Sequence, residues 1–175
     1  NLSISDAKYN LEVGSASHGE QIAKIVVSLE KILNLEKPDL VIVYGDTNST
    51  LAGAICASKL NIKVAHFEAG MRSFDKQMPE EINRILVDHV SNLFFCVSKN
   101  AVINLRREGI YTNVYLTGDL KYEVFLKTRK DFSILKKYEL FKKQYYLATI
   151  HRAENTDDLR RLETIFVSID KLNLG

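Results

Sequence analysis

Apolar residues recur at helical spacing in the first long patterned segment of the chain. Between Ser17 and Pro38, aliphatic side chains return every three or four positions on one face, at Ile22, Ile25, Val26, Leu29, Ile32 and Leu33. Ser17 and Glu20 have the spacing of a capping box, so we predict that a helix opens at Ser17. Pro38 cannot continue a helix and marks its end.

Short unbroken apolar runs alternate with helical segments along the rest of the chain. Such runs are typical of strands buried on both faces. Five strands are predicted, over residues 40–43, 62–67, 93–97, 114–116 and 145–150. Helices are predicted over 47–60, 79–89, 99–108 and 157–172, with a further basic helical region before the fifth strand. This alternation predicts an α/β fold, a Rossmann-like parallel sheet with helices on both faces.

Composition and charge narrow the class of protein. The 175 residues are 46% apolar and 26% charged, with a net charge of +2, which gives no argument for binding nucleic acid or a membrane. No apolar run reaches the 18 residues of a membrane span. Eight Lys and Arg residues between 121 and 143 are interpreted as a solvated helical face rather than a partner site. Weak patterning there predicts a domain boundary near Gly118, with residues 1–118 in one domain and 119–175 in a second.

The cysteines and histidines give no sign of a metal site. Cys56 and Cys96 lie in apolar segments without zinc-ligand spacing, so we predict buried, inert thiols in a reducing compartment. An alternative metal site has no recognised ligand spacing; it would use His18, His66, Glu68 and His151. The N-terminus lacks the basic and apolar regions of a signal peptide. It also lacks Met, which suggests that the true start of the protein is missing.

Polar and glycine residues follow four of the five predicted strands. These groups are Gly45-Asp46-Thr47, Glu68-Ala69-Gly70, Thr117-Gly118-Asp119 and His151-Arg152. In open α/β sheets, ligands bind outside the carboxyl ends of the strands. The sequence therefore predicts a binding site at this edge.

The first two groups each have two interpretations. Gly45-Asp46-Thr47 leads from a strand into a helix, so it can hold an anion at the helix N-terminus or simply cap that helix. Glu68 follows a strand on which His66 points the same way, and it suits a general acid or base in a crevice. Alternatively, Glu68 forms an ion pair with Arg72, and His66 is an ordinary buried, hydrogen-bonded histidine.

Two later segments are also open to two interpretations. Glu80 and Arg84 share a helical face and can simply form an ion pair near the helix N-terminus. Alternatively, a glutamate of this turn faces the crevice and Arg84 orients it or binds phosphate. His151 can donate a proton to a leaving phosphate, and Arg152 can bind that phosphate bidentately; the alternative is a loop histidine bonded to the backbone.

Taken together, these segments resemble the non-hydrolysing UDP-N-acetylglucosamine 2-epimerases. The resemblance covers nearly the whole chain, in the family's order and spacing. It rests on residues 14–21, 37–39, 45–48, 66–72, 78–84, 117–119 and 148–155.

The resemblance implies two Rossmann-like domains facing across a cleft, as in GT-B glycosyltransferases. It implies reversible interconversion of UDP-GlcNAc and UDP-ManNAc at C2, by elimination and re-addition of UDP, without NAD or another cofactor. It also implies a cytoplasmic homodimer that binds neither nucleic acid nor membranes and supplies ManNAc for surface polysaccharides.

The resemblance also implies the site residues. The catalytic residues fall on Asp46, Glu68, Glu80 and His151. Which carboxylate removes the C2 proton and which returns it stays open. The substrate-binding residues fall on Arg84, Arg72, Gly45, Thr47, Gly118 and Arg152. Asp119 stands where many relatives have Asn, so we expect no direct substrate contact there.

Two alternatives to this enzyme remain. One is a GT-B-type UDP-sugar glycosyltransferase, and the other is a folded, non-catalytic fragment without the nucleotide pocket. The family's N-terminal nucleotide-contacting loop and most of its second domain have no counterpart here. We therefore expect an internal fragment of the family with little or no epimerase activity alone.

Overall fold

The computed structural model describes residues 5–128, 133–141, 145–151 and 153–172. The chain divides into two compact units, Asn1–Leu126 and Lys127–Gly175, and each is described by itself. The assignment of residues 1–118 and 119–175 to two domains stays a prediction.

The first unit alternates helices and strands, as predicted. Its elements are α1 (His18–Glu36), β1 (Leu40–Tyr44), α2 (Asn48–Lys59), β2 (Lys63–Phe67), α3 (Pro79–Val90), β3 (Leu93–Cys96), α4 (Lys99–Arg107), β4 (Val114–Leu116) and α5 (Leu120–Lys127). The four strands are parallel and lie in the order β1-β2-β3-β4. The predicted α/β fold with a parallel sheet is confirmed.

The strand order explains where the helices lie. Each strand lies next to the strand that follows it in the chain. Right-handed crossovers then place α2, α3 and α4 on one face of the sheet, so these connections do not show the predicted helices on both faces. The core on this face joins Val43 and Val64 of the sheet to Leu51 and Val87 of α2 and α3. A second cluster packs α4 against β3, through residues including Leu105 and Phe94.

The other face of the sheet carries a row of aromatic rings. The register aligns Tyr44 with Phe67, Phe67 with Phe95, and Phe95 with Tyr115. Neighbouring ring centroids lie 5.0, 4.5 and 5.7 Å apart, so the rings contact one another across all four strands. Tyr44 and Ile42 on this face are exposed.

The N-terminus of α1 lacks the capping box that the sequence predicts. Ser17 stands at the N-cap of α1, but its side chain accepts no capping hydrogen bond. The predicted capping box of Ser17 and Glu20 is therefore wrong, because Glu20 instead pairs with Lys24 at 2.7 Å. A capping box does form at α2, between Thr47 and Thr50.

The second unit contains α6 (Ser133–Lys137), α7 (Ala153–Thr156) and α8 (Leu159–Asp170). The predicted C-terminal helix is thus confirmed, within narrower bounds. The predicted strand over 145–150 is wrong, since these residues have no regular secondary structure. A strand needs a hydrogen-bonded neighbour, and no described residue of this unit forms one. Over the described part of both units, no helix is long and apolar enough to cross a membrane.

Candidate active site

The loops after β1 and β2 lie side by side at the carboxyl edge of the sheet. Tyr44 and Phe67 are paired at the last position of both strands, so Asp46 and Glu68 follow neighbouring strand ends. Gly45 has φ of +68°, a conformation that favours glycine, and a Cβ placed there would lie 4.0 Å from Glu68 Oε2. The register therefore brings these two carboxylate-bearing loops together at one edge of the sheet.

Arg84 of α3 binds the first carboxylate. Its Nε and Nη2 lie 2.9 and 2.6 Å from Asp46 Oδ2, and its Nη1 lies 3.0 Å from Glu81 Oε2. Burial alone would lower the pKa of Arg84, but the hydrogen bonds to Glu81 and Asp46 outweigh it and raise the pKa. Arg84 is therefore a fixed cation that holds Asp46 at the edge of the sheet.

Glu81 anchors the loop that precedes α3. Its side chain is 1% exposed, and it accepts hydrogen bonds from Ser73 N (2.8 Å), Ser73 Oγ (2.9 Å) and Phe74 N (2.9 Å). Burial would raise the pKa of Glu81, but the bonds from Ser73, Arg84 and Phe74 lower it on balance. This anchoring role was not predicted, because adjacent glutamates in a first turn look alike in sequence.

Glu80, the residue before Glu81, is neither buried nor hydrogen-bonded to the described residues. It is exposed, and its side chain has no hydrogen bond or ion pair with any described residue. The alternative of a Glu80–Arg84 ion pair is wrong, because Arg84 instead pairs with Glu81 and Asp46. Glu80 thus presents an exposed carboxylate, without a partner among the described residues, in the first turn of the helix that carries Arg84.

Glu68 lies just beyond β2 with φ of +69°, in the left-handed region that costs a non-glycine residue free energy. Because it has left the strand, the expectation that it points the same way as His66 does not hold. The alternative of a Glu68–Arg72 ion pair is also wrong. Glu68 Oε1 instead lies 2.8 Å from Lys121 Nζ of α5. That hydrogen bond raises the pKa of Lys121.

A buried network lies directly under these loops. His66 is fully buried, with Nδ1 2.7 Å from Asp88 Oδ1 and Nε2 2.8 Å from the Gly45 carbonyl oxygen. Asp88 Oδ2 accepts from Gly70 N at 3.1 Å and from Arg72 Nη2 at 2.8 Å. His66 is thus the buried, hydrogen-bonded histidine of the second interpretation of this segment.

Arg72 belongs to the same network rather than to an open cleft. Its side chain is 1% exposed, and it pairs with Glu108 through two hydrogen bonds of 2.7 and 2.6 Å. Burial would lower its pKa, but Glu108 and Asp88 together raise it. Its predicted role in substrate binding stays a prediction, and this placement favours a structural role instead.

The remaining predicted contacts of the first unit lie at the same edge. Thr47 caps α2. Gly118 has φ of +82° and lines a small cavity of about 20 Å³ together with Glu68, Phe67 and Leu120. Lys121, three residues beyond Gly118, contacts Glu68. The sequence pattern does not reveal this contact, because Lys121 belongs to the run of basic residues that is interpreted as a solvated face.

In the second unit, the predicted histidine stands in irregular structure. His151 is exposed, and its carbonyl oxygen accepts a hydrogen bond from Asn155 Nδ2 at 3.0 Å. Arg152 lies outside the described residues. A hollow of about 880 Å³ in this unit is lined by Ser133, Leu135 and Phe141 among others, and it contains none of the predicted catalytic residues. The roles of His151 and Arg152 stay predictions.

Neither a metal cluster nor a reactive thiol lies in the part of the chain that the structure describes. No three described His, Cys, Asp or Glu residues are grouped as metal ligands would be. Cys56 and Cys96 are buried free thiols, as predicted. Burial raises the pKa of the Cys96 thiol to about 11, and the nearby Asp88 carboxylate adds to the effect.

Comparison with known proteins assigns the sequence to one family. The family described as UDP-N-acetylglucosamine 2-epimerase matches residues 1–174. A UDP-N-acetylglucosamine 2-epimerase homolog of Methanococcus maripaludis is 53% identical over 169 residues, covering 94% of this chain and 47% of the relative. A UDP-2,3-diacetamido-2,3-dideoxy-D-glucuronate 2-epimerase of Pseudomonas aeruginosa is 42% identical over 180 residues, covering 99% and 50%.

Solved structures give the same result. The Methanocaldococcus jannaschii UDP-GlcNAc 2-epimerase, crystallised with UDP-GlcNAc and UDP, superposes with a TM-score of 0.86 at 46% identity. The alignment covers 96% of this chain and 48% of that protein. The chain therefore spans about half the length of the relatives that it matches.

Proposed function

The chain belongs to the UDP-N-acetylglucosamine 2-epimerase family, and on that premise we propose that it supplies the catalytic carboxylates for the interconversion of UDP-GlcNAc and UDP-ManNAc at C2. The observation that carries the proposal is the pairing of two adjacent strand ends, which brings Asp46 and Glu68 to one edge beside Arg84.

The chemistry requires a base and help for a leaving group. Removal of the C2 proton and cleavage of the C1–O bond release UDP and leave a C1=C2 double bond in the sugar. UDP then adds back to C1, while a proton is delivered to C2 on the opposite face. Because a C2 proton is weakly acidic, a positioned carboxylate and stabilisation of the departing diphosphate must act together.

The three carboxylates differ in ways that suit them to different steps. Asp46 is fixed by two hydrogen bonds from Arg84, so it provides a charge of defined position. Glu68 is paired with Lys121, whereas Glu80 has no partner among the described residues. Glu68 and Glu80 are the candidates to remove and return the C2 proton. His151 is proposed to protonate or stabilise departing UDP, with Arg152 on its phosphates.

A chimera tests the proposal without depending on the length of this chain. The matched half of the Methanocaldococcus jannaschii enzyme is replaced by residues 1–175, and the purified chimera is incubated with UDP-GlcNAc in deuterated water. The expected result is UDP-ManNAc together with deuterium at C2 of the sugar. The chain alone, assayed in parallel, is expected to show little or no turnover.

Deuterium at C2 separates the proposed epimerase from both alternatives. A glycosyltransferase would leave C2 protonated, and a fragment without catalytic function would give a folded chimera that exchanges nothing. Either result would overturn the proposal, provided that the unmodified Methanocaldococcus enzyme is active in the same assay. Glu68→Gln and Glu80→Gln in an active chimera are each expected to abolish exchange.

Substrate and assembly are part of the same proposal. The Pseudomonas relative is named for a UDP-2,3-diacetamido-2,3-dideoxy-D-glucuronate substrate, so this sugar nucleotide is tested beside UDP-GlcNAc, which we expect to be preferred. We also expect a cytoplasmic homodimer that needs no added cofactor. Light scattering on the chimera and assay after dialysis against a chelator check the assembly and the cofactor requirement.

A further inference from the structure

The ring of His66 faces two acceptors. Its Nε2 lies 2.8 Å from the Gly45 carbonyl oxygen, which can only accept, so Nε2 carries a hydrogen. Its Nδ1 lies 2.7 Å from an oxygen of Asp88. The other oxygen of Asp88 already accepts from Gly70 N and pairs with the Arg72 guanidinium, so this carboxylate is ionised and Nδ1 also donates.

Charge balance supports this assignment. With both nitrogens protonated, His66 and Arg72 contribute two positive charges, and Asp88 and Glu108 contribute two negative ones. Buried charges are tolerated when they are paired and hydrogen-bonded, as those of His66, Arg72 and Asp88 are here. The fourth group, Glu108, is partly exposed. Among the residues that the structure describes, His89 also approaches the network, with its Nδ1 3.9 Å from Glu108 Oε2. The neutral thiol of Cys96 lies close to Asp88.

The network ends on the backbone of both carboxylate-bearing loops. Through Nε2, His66 holds the carbonyl of Gly45, the residue before Asp46. Through Asp88, it holds the amide of Gly70, two residues after Glu68. Gly70 is held further by Asn104, which donates to its carbonyl oxygen at 3.0 Å. Glu68 lies two residues before Gly70, in a backbone conformation that persists only where the surrounding structure supports it.

We propose that His66 is a positioning residue, a buried and doubly protonated imidazole that ties the loop of Asp46 to the loop of Glu68. Its importance for catalysis rests on the proposed epimerase function, whereas its protonation and its hold on the two loops do not. His66 touches no reacting atom; it fixes the separation of two groups that do.

The protonation state is tested by nitrogen NMR of the ¹⁵N-histidine-labelled chain, with the His66 signals assigned by their loss in His66→Gln. Both ring nitrogens are expected to carry slowly exchanging hydrogens at neutral pH. In Asp88→Asn, the amide can donate to the ring, so Nδ1 is expected to lose its hydrogen while Nε2 keeps its own. An unprotonated ring nitrogen in the unmodified chain would overturn the proposal.

The positioning role is tested by replacing His66 with Gln or with Asn, whose side-chain amides extend to different lengths. The side-chain nitrogen of Gln takes the place of Nε2 and can still donate to Gly45, whereas that of Asn takes the place of Nδ1 and reaches only Asp88. Both variants remove the same charge. Amide hydrogen exchange in the loop of Asp46 is therefore expected to stay slow in His66→Gln and to speed up in His66→Asn.

The catalytic consequence is measured in the active chimera. Since small misplacement of a reacting group costs up to about 100-fold in rate, His66→Asn is expected to lower kcat at least tenfold, with His66→Gln staying within about threefold. KM is expected to change little in both. Asp39→Asn, at the far end of β1, is the control for a general effect of substitution. Equal kcat values for the two His66 variants would refute the positioning role. An inactive chimera would count against the proposed function. In that case the NMR and hydrogen-exchange results would decide whether His66 positions the two loops.

Discussion

Two adjacent glutamates at the start of α3 offer a sharp test of the site's architecture. Glu81→Gln keeps the size of a side chain that is 1% exposed, but it replaces one carboxylate oxygen with an NH₂ group. In one orientation, the NH₂ group of that amide faces the donors of Ser73 and Arg84. In the other orientation, it faces the backbone amide of Phe74. The substitution therefore removes at least one charged hydrogen bond and leaves a donor facing a donor.

The magnitude follows from the number of bonds affected. A hydrogen bond to a charged group contributes about 1.5–3 kcal/mol, and a buried donor left without an acceptor adds a similar cost. Arg84 keeps its contact with Asp46, which limits the loss. We expect Glu81→Gln to lower the free energy of unfolding by about 3 kcal/mol.

The measurement is urea unfolding of the chain followed by circular dichroism, with Glu80→Gln as the matched control. Glu80 is exposed, so its substitution should change stability by less than about 0.5 kcal/mol. The pKa of Glu81 is lowered in the folded state, so its contribution is present at neutral pH and is lost as the pH falls through that lowered value. Equal midpoints for the two variants at pH 7 would refute the anchoring role of Glu81.

Three further predictions concern residues around the same edge. Gly70→Ala would place a Cβ 2.2 Å from a backbone oxygen of α4, so this substitution is expected to prevent folding. In Gly118→Ala the new Cβ meets open space, so the free energy of unfolding in urea should fall by only about 1–2 kcal/mol. Cys96 should react with a thiol reagent at pH 8 only as the chain unfolds, since burial raises its pKa to about 11. Lys121 is 77% exposed, so Lys121→Met should cost less than about 0.5 kcal/mol at pH 7. That small difference should vanish as the pH rises through the raised pKa of Lys121. A larger stability change for Lys121→Met would show that its contact with Glu68 serves the fold.

The first unit follows its sequence pattern closely, because short apolar runs and helical spacing report burial directly. The predicted strands over 40–43, 62–67, 93–97 and 114–116 all form. The run over 145–150 has the same apolar character but no partner strand in the described residues. A pattern in one segment cannot report whether its hydrogen-bonding neighbour exists.

The candidate site is predicted less completely, because ion pairing depends on contacts between distant segments. Helical spacing pairs Arg84 with Glu80, whereas in the fold it reaches Asp46, 38 residues away. Likewise, Arg72 turns to Glu108, 36 residues along the chain. The acids at the strand ends were found from the topology alone, but the partners of those acids required the packing of helices against the sheet.

The left-handed backbone of Glu68 implies a conflict between robustness and activity at that position. Glycine adopts φ of +69° without the penalty that a side chain incurs, which is about 1 kcal/mol. Glu68→Gly should therefore give a chain that melts at a higher temperature, whereas the chimera that carries this substitution should no longer turn over. Selection for thermal resistance alone would favour glycine at this position, so under the proposed function the glutamate is kept at a cost in stability.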